Sequence, residues 1–111
     1  MLKPGIYEVR AFHIGPDKSP YLAWLQSLDA NTKARVLSRI ERLGIGQFGD
    51  YKRIDHNLYE LRFFFGPGYW VYFGEHKGKL ILLLTGGDKA SQQKDITKAR
   101  QYWKTYQEDN S

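Results

Sequence analysis

The stretch LYELRFFFGPGYWVYF, residues 58–73, leaves little choice of local structure: two runs of aromatic and aliphatic residues flank a Gly-Pro-Gly turn, which reads as an antiparallel β-hairpin. Side chains alternate across a strand, so Tyr59, Leu61, Phe63 and Phe65 form one continuous apolar face, which must pack on helices. Tyr69, Val71 and Phe73 extend that face on the second run. Leu58, Glu60, Arg62 and Phe64 point the other way, together with Trp70 and Tyr72. This second face carries a carboxylate, a guanidinium and large rings, and is expected to stay bare. Rings that stack on bases and cations that meet phosphates suit single-stranded nucleic acid. The plain alternative is a solvated Glu60/Arg62 pair worth well under about 1 kcal/mol.

Around the hairpin the period of the pattern changes. Residues 5–12 alternate and predict a strand. Ser19 as N-cap and Pro20 at the first helical position open a short helix, whose stripe is Tyr21, Leu22, Trp24, Leu25 and Leu28. Residues 29–44 predict a second helix with Val36, Leu37, Ile40 and Leu43 inward and Lys33, Arg35, Arg39 and Arg42 mostly outward. Residues 45–57 contain turn formers without a period and read as loop. Strands are expected at 58–65, 69–74 and 79–85, then a helix over 91–107 with Ile96, Ala99, Trp103 and Tyr106 on its apolar side. The order β-α-α-β-β-β-α predicts one α+β domain over residues 1–111, a small twisted sheet with an antiparallel meander and helices packed on one face.

The chain has 111 residues, enough for a single core. It has no cysteine, which excludes disulfides, thiolate nucleophiles and Cys-ligated zinc. Its longest aliphatic run, LILLL at 80–84, is far short of the roughly 20 residues of a membrane helix, and residues 1–15 lack the apolar core of a signal peptide. A cytoplasmic protein without a membrane partner is expected. With 17 Lys and Arg against 12 Asp and Glu, the net charge of +5 favours an anionic partner.

Two segments, LYELRFFFGPGYWVYF and LILLLTGGDKASQQKDITKAR, resemble the RelE/ParE superfamily of bacterial toxin-antitoxin toxins, in particular the HigB-like "addiction module killer protein" branch. The family pattern runs Y-E-L-R, G-x-G-Y-R-x-Y-F and G-G-D-K-x-x-Q-x-x-D-I-x-x-A, and the match spans about residues 58–100. The resemblance implies a RelE-like fold and a toxin that inhibits translation by cutting messenger RNA on the ribosome, without metal or other cofactor. It also implies a cognate antitoxin, a helix-turn-helix protein encoded by an adjacent gene, through which alone the toxin meets DNA. In such an enzyme the 2′-hydroxyl attacks the neighbouring phosphate, so a proton acceptor, cations and a donor for the leaving oxygen are required. Arg62 and Lys89 match the family's cations and are expected to stabilise the phosphate charge. Glu60 is the expected general base, and Tyr72 positions a base or relays a proton. Gly86 and Gly87, ahead of Lys89, leave amides for a phosphate or a strand partner.

One position departs from the pattern. Trp70 stands where the family has arginine, and an indole stacks on a nucleotide but cannot supply the charge. This opens two alternatives: a non-enzymatic, ParE-like inhibitor of DNA gyrase, or a repurposed nucleic-acid-binding module. His56 is expected near the site as an RNA contact, and Lys94 and Lys98 on the last helix are expected to grip RNA backbone. His13 and His76 read as surface residues. No histidine pair has metal-ligand spacing.

Overall fold

The computed structural model of the chain describes residues 2–110. Strand β1 (Glu8–Ala11) is followed by helices α1 (Pro20–Gln26) and α2 (Ala30–Leu43), then β2 (Tyr51–Asp55), β3 (Leu58–Phe63), β4 (Tyr69–His76) and β5 (Leu80–Asp88). A single 3-10 turn, Lys89–Ser91, leads into α3 (Gln92–Asp109). The five strands form one mixed sheet in the order β1-β5-β4-β3-β2, with β1 parallel to β5 and every other pair antiparallel. None of the described helices is long and apolar enough to cross a membrane.

Local chemistry accounts for the element boundaries. The Ser19 hydroxyl accepts the Leu22 amide at 3.2 Å and Pro20 supplies a first helical residue that needs no donor. The Asp29 carboxylate accepts the Thr32 amide at 2.7 Å to start α2, and that bond holds the Asp29 carboxyl below the usual carboxylate range. At the β3–β4 turn, Gly66 and Gly68 take positive φ values of 57° and 85°, backbone that a side chain disfavours. Between them Pro67 presets the turn.

The hairpin alternation holds as the sequence predicts: Tyr59, Leu61, Phe63, Val71 and Phe73 are buried in one core with Val36, Ile40 and Leu43 of α2 and Tyr21 and Leu25 of α1. Burial pushes the Tyr21 phenol up to about 12.

Three expectations need correction. Residues 51–55 are strand rather than loop: β2 pairs with β3 through Tyr51–Leu61, Lys52–Glu60 and Arg53–Tyr59. Helices lie on both faces of the sheet, not on one. Helix α3 covers the second face, where Ala99 and Trp103 bury against Phe12, Leu58, Trp70, Tyr72, Leu82 and Leu84. The cause is β5, apolar on both sides: Ile81 and Leu83 belong to the first core and Leu82 and Leu84 to the second, so a bare second face would leave leucines in water. Third, Gly86 and Gly87 are buried strand residues instead of exposed amide donors. A Cβ at Gly86 would collide with the Trp24 indole, and one at Gly87 with the Asp95 carboxylate.

Candidate nucleic-acid interface

With the second face of the sheet covered, an open polar surface lies at the C-terminal end of β3. Residues separated by three or four positions share a helix face, so Arg35, Arg39 and Arg42 form one stripe along α2 while Val36, Ile40 and Leu43 anchor the adjacent face in the core. This stripe faces Phe63, the last residue of β3, and the two phenylalanines that follow it. Phe63 is buried in the core and Phe65 packs on its edge, whereas Phe64 is 66% exposed. A groove of about 530 Å³ runs between the two, lined by Arg35, Arg39, Arg42, Phe63, Phe64 and Phe65 together with Ala34 and Ser38.

Each of the three rings carries a cation, two from the groove wall and one, Arg62, from beside it. The Arg35 guanidinium lies over Phe65 at 3.8 Å, that of Arg39 over Phe63 at 4.8 Å, and that of Arg62 over Phe64 at 5.0 Å. Each such contact holds a flat cation against a quadrupole while leaving donors for an anion. The arginines are not equivalent. Arg39 donates to the carbonyl oxygens of Arg62 at 2.9 Å, Asp50 at 3.3 Å and Phe48 at 3.4 Å, and so ties the segment before β2 to the end of β3. Gly49, at φ 66°, makes room for it: a Cβ there would stand 2.8 Å from an Arg39 terminal nitrogen. Burial pulls Arg39 below the ordinary arginine value, the Asp50 charge raises it again and Arg42 lowers it. Arg39 is a clamp, and Arg35, Arg42 and Arg62 offer charge to a ligand. The Arg62 side chain keeps 32% of its surface and pairs loosely with Asp50 at 3.9 Å.

The residues expected to form the site separate into three groups. Arg62 does not line the groove itself but lies over Phe64, which does. Its cross-strand partner is Trp70, whose own partner on β5 is Gly87, so the segment leading to Lys89 emerges two strand spacings away, roughly 10 Å, at the same end of the sheet. Lys89 is exposed in the 3-10 turn. Glu60, Tyr72 and Trp70 form the second group, and here the expectation of a bare surface fails. Glu60 is 5% exposed and accepts a hydrogen bond from Gln92 Nε2 at 3.3 Å, and Tyr72 is fully buried. Glu60, Tyr72 and Thr85 lie side by side across β3, β4 and β5. The Tyr72 phenol is pushed up by burial, then by the Glu60 and Asp95 carboxylates, so it stays protonated and cannot accept a proton at neutral pH. Trp70 is core beneath α3.

The third group lies elsewhere. His56 is exposed in the β2–β3 turn, at the far end of β3 from Arg62. Lys94 and Lys98 are exposed on α3, on the side away from buried Asp95, Ala99 and Trp103. None of these three lines the arginine groove. Sequence reading missed Arg35, Arg42, Phe64 and Asp50. The signal available was the spacing of three arginines at one helical face, which the ordinary rule of solvated charges explains away.

No family model matches this sequence. An uncharacterized protein of Haemophilus influenzae is 44% identical to it over 79 residues, covering 70% of this chain and 80% of that protein.

Proposed function

We propose that this chain, a member of the same family as the Haemophilus influenzae protein, is the toxin of a bacterial toxin-antitoxin pair. It is assigned to the RelE/ParE superfamily and its HigB-like branch, a ribosome-dependent, metal-independent endonuclease that acts on messenger RNA in the cytoplasm. The observation that carries the reading is the open groove lined by Arg35, Arg39, Arg42 and three phenylalanines, with Arg62 held over the Phe64 ring beside it, a surface suited to the phosphates and bases of a single strand. The motifs YELR and GGDK and the helical hairpin ahead of the meander support the family assignment.

In this reading the RNA 2′-oxygen attacks the adjacent phosphorus, the bond to the 5′-oxygen breaks, the leaving oxygen takes a proton from solvent water, and a cyclic phosphate and a 5′-hydroxyl result. Arg62 stabilises the charge that builds on the phosphate, with Lys89 at the same end of the sheet. The buried Glu60 gives way to Asp50, 49% exposed and 3.9 Å from Arg62, as the carboxylate that takes the 2′-proton. The partners are the ribosome with its message, and a helix-turn-helix antitoxin from an adjacent gene that brings the toxin to DNA.

Induced expression in a tightly controlled host should arrest growth and create new messenger RNA 5′-ends. Changing Arg62→Ala should lower cleavage by about 10²–10³, with little change in melting temperature, because an exposed pair such as Arg62/Asp50 is worth at most about 1 kcal/mol. Full toxicity of that variant would remove Arg62 from the chemistry.

The burial of Glu60 and Tyr72 favours a second reading, in which the same scaffold binds without cutting, as a ParE-like gyrase inhibitor or a repurposed nucleic-acid-binding module. Growth arrest with unchanged transcripts, and loss of DNA supercoiling by purified gyrase, would select the inhibitor.

A further inference from the structure

The groove combines two kinds of surface that a duplex and a single strand would use differently. Its arginines can meet the phosphates of either. Phe64 is another matter: its ring is 66% exposed just past the end of β3, while Phe63 is buried in the core and Phe65 packs on the core's edge. The Arg62 guanidinium lies over the ring at 5.0 Å, which orients it while most of its surface stays open. On the groove side Arg35 is held over the neighbouring Phe65 at 3.8 Å and lines the groove together with Phe64 and Arg42. The volume, about 530 Å³, lies in the range of about 300–1,000 Å³ that accommodates a small ligand.

We infer that Phe64 is a stacking platform for one unpaired nucleobase, with Arg35, Arg42 and Arg62 holding the phosphates on either side of it, so that the groove selects single-stranded over double-stranded nucleic acid. This rests on the RNA-binding reading above and adds the form of the substrate. A base inside a duplex has both its faces covered by its neighbours and cannot lie on Phe64 without being unstacked, whereas a base in a single strand presents a free face. Stacking of one base on an aromatic side chain is worth about 1–3 kcal/mol, or about 5- to 150-fold in affinity. Duplex binding through phosphates alone receives none of it.

The test is fluorescence anisotropy of the whole chain with a fluorescein-labelled twelve-nucleotide RNA of unstructured, adenine-rich sequence, and with the same strand annealed to its complement. Phe64→Leu should weaken single-strand binding at least about 5-fold and leave duplex binding within about 2-fold. Phe64→Trp should restore the single-strand affinity, and the added indole should be quenched by RNA. Because Phe64 is exposed, both variants should melt with the wild type. Equal losses on the two probes, or no loss on either, would overturn the stacking role. The two readings fail separately. Binding that survives Phe64→Leu but collapses on neutralising Arg35 and Arg42 leaves the RNA interface standing without a stacked base, and absence of binding to both probes by the wild-type chain overturns the interface itself.

Discussion

Trp103→Ala is expected to destabilise the protein by about 3–5 kcal/mol, the range for removing a buried large aromatic side chain. Against a total stability of about 5–15 kcal/mol, that brings the chain close to unfolding at growth temperature. Trp103 is 4% exposed and forms the centre of the contact between α3 and the sheet. Its indole lies so close to Gly74 of β4 that a Cβ there would overlap the ring, and it stacks on Tyr106 with centroids 5.6 Å apart and planes at 7°. Removing it uncovers Leu82, Leu84 and Trp70 together. Trp103→Phe should cost much less than the alanine change, because the buried Nε1 has no hydrogen-bond partner among the described residues and its desolvation is already unfavourable. Urea denaturation followed by circular dichroism measures both. A loss under about 1 kcal/mol for the alanine variant would mean that α3 does not hold the second face of the sheet.

That expectation also marks where the sequence stops being informative. The hairpin faces were legible because period-two alternation is a strong constraint, and it assigned Tyr59, Leu61 and Phe63 to one side and Glu60 and Arg62 to the other. The stripe of Ile96, Ala99, Trp103 and Tyr106 was legible as well, but a stripe does not say which sheet face it will cover. The deciding signal was LILLL in β5, where alternation is missing and both faces must be covered. With that cover in place, Glu60 and Tyr72 had to be interior groups, and a site built on them from the hairpin alone had no surface. Strand β2 was hidden for a different reason: Tyr51–Asp55 is an edge strand with Lys52 and Arg53 exposed, and it follows its partner's hydrogen bonds more than any hydrophobic pattern of its own. The groove was least legible of all, since Arg35 and Phe65 stand 30 residues apart in sequence, and only the packing of α2 on the sheet brings them to 3.8 Å.

The division of labour among those arginines predicts the second large effect. Neutralising Arg35 and Arg42 together should weaken single-stranded RNA binding about 10- to 30-fold at about 0.1 M salt, and should reduce the slope of log affinity against log salt by about 1.4, since each phosphate deprived of its arginine removes about 0.7. Stability should change little, because both side chains are exposed. Arg39→Ala should behave in the opposite way. Its guanidinium is committed to the carbonyls of Phe48, Asp50 and Arg62, so its removal leaves those acceptors short of partners and costs about 1–3 kcal/mol of stability, with the salt slope kept. Anisotropy titrations between about 50 and about 200 mM salt, the span over which phosphate binding shows most clearly, combined with thermal melts, separate the two classes. An unchanged slope in the Arg35/Arg42 double variant would mean that phosphates bind elsewhere on the protein, and a reduced slope for Arg39→Ala without destabilisation would move the clamp into the binding surface.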